Sequence, residues 1–216
     1  MASKKTLTIV DDLSVDKYMA DNAVATIIFA HGAGADKDSD FISEVCEQLC
    51  QADINVYRFN FPYMQQRLID GKRRPPNKMD VLQQSLLARI DDYDIQLPLF
   101  IGGKSMGSRV AATLANHEKV SGVFCIGYPF HPAKKPEKLR LEPLQQATKP
   151  VLIVQGTRDA LGSIEDIAEY DLPSNINIVY VEDGDHDLKP RVKSGHTHSG
   201  HKMTAVTQIC RLIDEN

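Results

Sequence analysis

The chain has 216 residues, a formal net charge of −4 and 42% hydrophobic residues. This length fits one α/β domain, and such a composition is ordinary for a globular protein. Apolar runs stay well short of the roughly 20 residues that span a membrane, and the first residues lack the apolar core of a secretory signal. We therefore expect a single domain over residues 1–216 that acts without a nucleic-acid or membrane partner.

Cysteine usage indicates a reducing compartment. The cysteines are Cys46, Cys50, Cys125 and Cys210. Cys46 and Cys50 would share one face of a helix, which is a poor geometry for a disulfide, and Cys125 lies in a buried-looking strand. All four are therefore expected to be free thiols, and the protein is expected in the cytoplasm.

Apolar runs that alternate with amphipathic segments predict a layered α/β fold. The predicted strands lie at residues 7–10, 15–19, 25–30, 54–59, 97–101, 120–126, 150–156 and 176–181. The predicted helices lie at residues 40–52, 79–91, 109–115, near 163–166 and at about 198–213. This order predicts a three-layer sandwich, with a mostly parallel central sheet and helices on both faces. Residues 129–149 are too few for a cap domain, so a loop with one short helix is expected there.

A glycine-rich loop, residues 31–35, follows the strand at residues 25–30. Such a loop can point a backbone N–H at a developing oxyanion, and an ordinary strand-to-helix turn is the alternative. Ala33 is the preferred donor and Gly34 is the second choice. His31 is interpreted as a residue that orients the loop, and it is also a candidate for substrate contact.

The most informative segment is Gly103-Lys104-Ser105-Met106-Gly107, which lies between a buried strand and a helix. The two glycines permit a sharp turn and close packing, so the serine hydroxyl would stand exposed at the helix N-terminus. Ser105 is therefore a candidate nucleophile, and the N–H of Met106 is the other candidate oxyanion donor. A glycine-rich helix start with a structural serine is the alternative.

Asp159 is the candidate acid. It comes just after the strand at residues 150–156, where α/β folds collect functional residues. A turn aspartate or a helix N-cap would also fit this position. Glu165 and Asp166 are competitors, but they lie inside the next predicted helix and are less well directed at the site.

His186 is the candidate base, on the loop that follows the strand at residues 176–181. A histidine in such a place is more often a surface residue, but its position behind Ser105 and Asp159 favours catalysis. Serine, aspartate and histidine, each just beyond a strand, follow the chain order of a hydrolase triad.

Together these motifs resemble the α/β-hydrolase fold family, most closely its small lidless members of the dienelactone-hydrolase-like kind. The resemblance is carried by His31-Gly32-Ala33-Gly34, Gly103-Lys104-Ser105-Met106-Gly107, Gly156-Thr157-Arg158-Asp159 and Gly184-Asp185-His186. The chain is also similar to a mostly uncharacterised subgroup related to the regulatory subunit of a eukaryotic histone acetyltransferase complex. The resemblance implies Ser105 as nucleophile, His186 as base and Asp159 as orienting acid, and it implies no particular substrate.

Basic residues are concentrated in three loops that this fold would bring to the mouth of the site. They are Arg67, Lys72, Arg73, Arg74 and Lys78, then Lys134, Lys135, Lys138 and Arg140, and finally Lys189, Arg191 and Lys193. Lys104 and Arg109 lie close by. This distribution predicts an anionic substrate or a polyanionic partner, with Arg73, Arg74 and Lys104 as candidate substrate-binding residues, and a solvated surface is the alternative.

The segment His196-Thr197-His198-Ser199-Gly200-His201 has a spacing that could bind a metal. No carboxylate or cysteine joins it nearby in the sequence, and Thr197 or Ser199 fits the N-cap of the last helix. We therefore expect neither a metal nor another cofactor.

These patterns predict a serine hydrolase for a small, anionic or neutral, ester or thioester. A C–C hydrolase or an acyltransferase would use the same triad. A non-catalytic interaction module that retains the hydrolase fold is an alternative of a different class. The sequence leaves the choice between monomer and homodimer open.

Overall fold

The computed structural model describes residues 4–10, 13–93 and 95–216. Eight strands form one sheet: β1 (Lys4–Val10), β2 (Leu13–Met19), β3 (Ala25–Ala30), β4 (Ile54–Phe59), β5 (Leu99–Lys104), β6 (Val120–Ile126), β7 (Val151–Gly156) and β8 (Ile176–Val181). Their order is β1-β2-β4-β3-β5-β6-β7-β8, and β2 runs antiparallel to both of its neighbours. Strands β3 to β8 are parallel, so their carboxyl ends share one edge of the sheet.

Helices cover both faces of this sheet. They are α1 (Asp40–Gln51), α2 (Pro62–Asp70), α3 (Met79–Asp92), α4 (Met106–Thr113), α5 (Glu142–Gln145), α6 (Ile164–Ala168) and α7 (His198–Asp214). The apolar residues of α1 and α7 join the core on one face, and those of α2 to α6 join the core on the other. The fold is therefore the three-layer α/β sandwich that the alternation of strands and helices predicted.

The central strands are apolar on both sides, as strands between two helical layers must be. In β6, Val123 and Cys125 pack against the core under α2 to α6, whereas Phe124 and Ile126 pack against the core under α1 and α7. Each such side chain contributes roughly 1.5–3 kcal/mol when it is fully buried. This two-sided burial holds the strand ends, and the loops that follow them, in fixed positions.

Most helix predictions are confirmed within one or two residues. Helix α1 corresponds to the helix predicted at residues 40–52, and α3 corresponds to the one predicted at residues 79–91. Helix α7 corresponds to the one predicted at residues 198–213. Helix α2 was not predicted. Its sequence signals are Pro62 in the first turn and Gly71 just past the end, where the backbone is left-handed with φ 70°.

The connection from β6 to β7, residues 127–150, holds only the short helix α5 and no cap domain, as expected. All four cysteines are free thiols. Within the described ranges, every helix is too short or too polar to traverse a lipid bilayer.

Candidate active site

Ser105 lies at the sharp turn between β5 and α4, with φ 53° and ψ −112°. A residue with a side chain rarely adopts this conformation, which costs about 1–3 kcal/mol and is typical of functional sites. Two glycines allow the close approach of the turn to β3. A Cβ on Gly103 or Gly107 would lie 2.9 or 2.6 Å from the carbonyl carbon of Ala30. The turn therefore presents the Ser105 hydroxyl at the carboxyl edge of the sheet.

His186, on the loop after β8, joins Ser105 to Asp159. Its Nε2 is 2.8 Å from the Ser105 Oγ, and its Nδ1 is 2.8 Å from the Asp159 Oδ2. An ionised carboxylate only accepts hydrogen bonds, so Nδ1 carries the proton and Nε2 is free to accept the serine proton. The structure therefore brings these three sequence-predicted residues together in the geometry of nucleophile, base and orienting acid.

Asp159 is fully buried just beyond β7. Its Oδ2 accepts a second hydrogen bond from the Gln155 Nε2 at 2.9 Å, and its Oδ1 accepts one from the Leu161 N–H at 2.8 Å. Donors on both oxygens stabilise the ionised carboxylate in a buried position, where an unpaired charge would be costly. The carboxylate is thus fixed in the orientation that faces His186.

The two competing carboxylates lie elsewhere. Asp166 forms a capping box with Ser163 at the start of α6, where its Oδ2 accepts from the Ser163 N–H at 2.9 Å. Glu165 is exposed on the first turn of the same helix. Neither carboxylate contacts His186, so the geometry favours Asp159 over both.

The glycine-rich loop after β3 is held by buried hydrogen bonds. The His31 Nδ1 donates to the Gly32 carbonyl at 2.7 Å, and its Nε2 accepts from the Phe61 N–H at 3.0 Å. Burial lowers the pKa of His31 to about 4, so the ring is neutral near pH 7. The Tyr63 hydroxyl donates to the Ala33 carbonyl at 3.0 Å. His31 therefore orients the loop, and its candidacy for substrate contact is corrected, because the ring is fully buried and both nitrogens are engaged.

The candidate oxyanion donors lie beside Ser105. Met106 is the first residue of α4, so its N–H has no partner within the helix. Ala33 and Gly34 are exposed and line a cavity that also contains Ser105. Within the described part of the chain, the Ala33 N–H donates to no protein acceptor. These N–H groups are therefore candidates to donate to an oxygen bound next to Ser105.

Two cavities meet at Ser105. The histidine-side cavity, of about 550 Å³, is lined by Lys104, Ser105, His186, Asp187 and His198 together with the loop after β3. The arginine-side cavity, of about 390 Å³, is lined by Ser105, Met106, Arg109, Arg140 and apolar residues that include Leu82 and Leu161. Ala33 lines both. Each cavity is large enough for part of a small ligand on its own side of the nucleophile.

The predicted basic residues divide into those that line these cavities and those that do not. Lys104 lines the histidine-side cavity, where it pairs with Asp187. Arg74 instead pairs with Asp70, four residues earlier in the chain. Neither Arg73 nor Arg74 lines either cavity, among the residues that the structure describes. Their candidacy for substrate binding is therefore corrected, because neither side chain lines a cavity at Ser105 and the charge of Arg74 is paired with Asp70.

A family model described as an alpha/beta hydrolase domain matches residues 23–214. The chain belongs to the α/β-hydrolase family. The match spans the segments that follow β3, β5, β7 and β8.

Solved structures similar to this chain have the same fold over nearly their whole length. A dienelactone hydrolase from Anabaena variabilis has a TM-score of 0.75 and 19% identity, with 98% of this chain and 99% of that chain covered. A lidless α/β serine hydrolase from Xanthomonas campestris has a TM-score of 0.69 and 17% identity, with 98% and 95% covered. An esterase from Pyrococcus furiosus has a TM-score of 0.67 and 16% identity, with 99% and 90% covered.

Two histidines of the H-x-H-x-x-H segment contact backbone carbonyls of the loop after β8. The His198 Nε2 lies 2.8 Å from the Asp187 carbonyl, and the His201 Nδ1 lies 2.8 Å from the Leu188 carbonyl. The Thr197 hydroxyl accepts from the Gly200 N–H, which confirms Thr197 as the N-cap of α7. In the described ranges, no group of three or more His, Cys, Asp or Glu residues is arranged to hold a metal ion.

Two residues that support the site were not predicted from the sequence. Gln155 is fully buried and, besides its bond to Asp159, donates to the carbonyls of Tyr128 and Gly162. Tyr63, on α2, holds the loop after β3. Gln155 could have been found from the sequence, because it is an amide inside an otherwise apolar strand. A buried amide requires hydrogen-bond partners, which points to a polar neighbour such as Asp159.

His31 is expected to make the stability of the protein depend on pH. Because its pKa is about 4 in the folded state and 6.5 ordinarily, the unfolded chain binds a proton first as the pH falls. This lowers the free energy of unfolding by about 2 kcal/mol between pH 7 and pH 5. Urea titrations of wild type and His31→Asn test it. The stability advantage of wild type should shrink at the lower pH, and a constant advantage would contradict the assignment.

Proposed function

We propose that the protein is a serine hydrolase that cleaves a small ester or thioester through an acyl-enzyme. The observation that carries this proposal is the continuous chain of two 2.8 Å hydrogen bonds from the Ser105 Oγ through His186 to the buried Asp159. A strained serine at a helix N-terminus, next to two unpaired backbone N–H groups, adds independent support.

In the proposed first step, the Ser105 Oγ attacks the acyl carbon while the His186 Nε2 takes the hydroxyl proton. Asp159 stabilises the imidazolium that results and keeps the ring in its orientation. The N–H groups of Met106 and Ala33, with Gly34 as the alternative to Ala33, stabilise the oxyanion. The bond to the leaving group breaks, and the proton passes from His186 to the departing alcohol or thiol.

The second step releases the acid. Water attacks the acyl carbon and gives its proton to His186, the bond from this carbon to the Ser105 Oγ breaks, and His186 returns the proton to Ser105. Neither step consumes a cofactor. A C–C hydrolase or an acyltransferase would share the first step and differ in the bond that breaks or in the acceptor.

We further propose that residues 1–216 form one such domain, of the small lidless dienelactone-hydrolase-like kind and of the subgroup similar to the histone acetyltransferase regulatory subunit. A cytoplasmic location suits four free cysteines, because thiols stay reduced there.

A fluorophosphonate probe tests the proposal, since it reacts with an activated serine whatever the natural substrate. The probe is expected to label wild type on Ser105 and to leave Ser105→Ala unlabelled. Ser199→Ala, which removes an exposed serine on α7, is the matched control and should be labelled like wild type. Labelling of Ser105→Ala would overturn the assignment of the nucleophile. Folded wild type that resists the probe would favour a non-catalytic interaction module.

A further inference from the structure

Two arginines share the wall of the arginine-side cavity. Arg109 lies on α4, one turn after Ser105, and Arg140 lies in the connection from β6 to β7. Both are half-buried, and both also line an adjoining cavity of about 390 Å³. Burial lowers the pKa of Arg140, and the charge of Arg109 lowers it further, which agrees with two guanidinium groups close together.

Neither guanidinium has an acidic partner among the described residues, where no carboxylate lies within 4.0 Å of it. Glu142 lines the adjoining cavity, but its Oε1 accepts from the Gln146 Nε2 at 3.1 Å. Among the other basic residues near the site, Lys104 pairs with Asp187, and Arg158 and Arg191 pair with Asp183. Lys189 lines the histidine-side cavity and does not line the arginine-side cavity. Two half-buried cations that face one cavity repel each other, and an anion that both can contact relieves this repulsion.

The position of His186 indicates which part of a substrate would meet these arginines. The base that donates a proton to the leaving group must lie on the leaving group's side of the acyl carbon. His186 lines the histidine-side cavity and does not line the arginine-side cavity. The alcohol or thiol would therefore leave through the histidine-side cavity, and the acyl chain would occupy the arginine-side cavity.

We infer that the preferred substrate carries a second carboxylate at the far end of its acyl chain, held by Arg109 and Arg140. This inference rests on the proposed function and adds the class of substrate, a monoester or monothioester of a short dicarboxylic acid. Planar guanidinium forks match a carboxylate geometrically, and the apolar side chains of Leu82 and Leu161 suit the methylene groups between the two ends.

Paired substrates test the inference. The charged substrate is the mono-p-nitrophenyl ester of glutaric acid, which has a free carboxylate at its far end. The neutral substrate is the same compound with that carboxylate converted to a methyl ester. Wild type should have the higher kcat/KM for the charged ester. Arg109→Gln and Arg140→Gln should each lower kcat/KM for the charged ester by roughly 10- to 100-fold more than for the neutral one. Lys135→Gln, which removes the same charge from an exposed position in the same connection as Arg140, should change kcat/KM for the two esters by the same factor.

A binding measurement keeps the test independent of turnover. Glutarate should bind Ser105→Ala in calorimetry, and the additional change Arg140→Gln should weaken this binding by a similar factor, with Arg140→Lys intermediate. The inference would be overturned if the arginine variants lowered kcat/KM equally for both esters, or if Lys135→Gln changed the ratio of the two kcat/KM values as much as they do. The hydrolase proposal would then stand as long as the fluorophosphonate still labels Ser105. Absence of labelling in folded wild type would overturn both.

Discussion

The Asp159→Asn variant is expected to remain folded and to hydrolyse a neutral short-chain ester with kcat lowered about 10⁴-fold. In wild type, Oδ1 accepts from the Leu161 N–H and Oδ2 accepts from Gln155 and His186. An amide has only one acceptor oxygen, so either orientation of the asparagine sets an N–H group against another donor. With its NH₂ group towards His186, the ring is driven into the tautomer that carries a proton on Nε2 and cannot accept the Ser105 proton.

Matched changes at the competing carboxylates sharpen this experiment. Asp166→Asn weakens the capping box of α6, which costs about 0.5–2 kcal/mol of stability, and Glu165→Gln alters an exposed side chain. Both variants should retain kcat within about threefold of wild type, because neither carboxylate contacts His186. Circular dichroism and steady-state kinetics on the same preparations separate misfolding from loss of chemistry. A large loss of kcat in Asp166→Asn, together with an active Asp159→Asn, would show that Asp166 is the orienting acid.

The positions of Ser105, Asp159 and His186 could be predicted from the sequence because each follows a short, mostly apolar strand. Such strands are distinct in the sequence, and a parallel sheet brings their carboxyl ends to one edge. Ser105 and His186 are therefore predicted to lie close together in the fold, although they are far apart in the chain. The sharp turn at Ser105 could also be predicted from the local sequence, because Gly103 and Gly107 are the positions where the backbone passes close to β3.

The partners of the basic residues could not be predicted in the same way. Arg74 follows Asp70 by four residues and pairs with it, and Arg191 pairs with Asp183 across a loop, so both charges are neutralised locally. Arg109 and Arg140 are more than thirty residues apart in the chain and become neighbours only when the connection after β6 folds over α4. The number of basic residues in these loops predicted an anionic ligand at this edge of the sheet. The structure adds which basic side chains are already paired with carboxylates and which ones line the cavity.

Gly107→Ala is expected to lower the free energy of unfolding by at least about 3 kcal/mol, a large share of the 5–15 kcal/mol that stabilises a typical domain. The new Cβ would lie 2.6 Å from the Ala30 carbonyl carbon and 2.8 Å from the His31 carbonyl oxygen. Both are backbone atoms held by β3 and its neighbours, so no side chain can rotate away, and α4 must move outwards. This displacement would carry the Met106 N–H away from the loop that contains Ala33.

Urea unfolding monitored by circular dichroism measures this loss, with Gly34→Ala as the matched control. A Cβ at Gly34 meets no atom within 4 Å, and its φ lies outside the left-handed region, so this change should leave stability within about 1 kcal/mol of wild type. The surviving folded fraction of Gly107→Ala should also label slowly with the fluorophosphonate, because the moved helix misaligns Ser105 with His186. Wild-type stability in Gly107→Ala would mean that α4 does not pack on β3 this closely, and the strained turn at Ser105 would lose its structural basis.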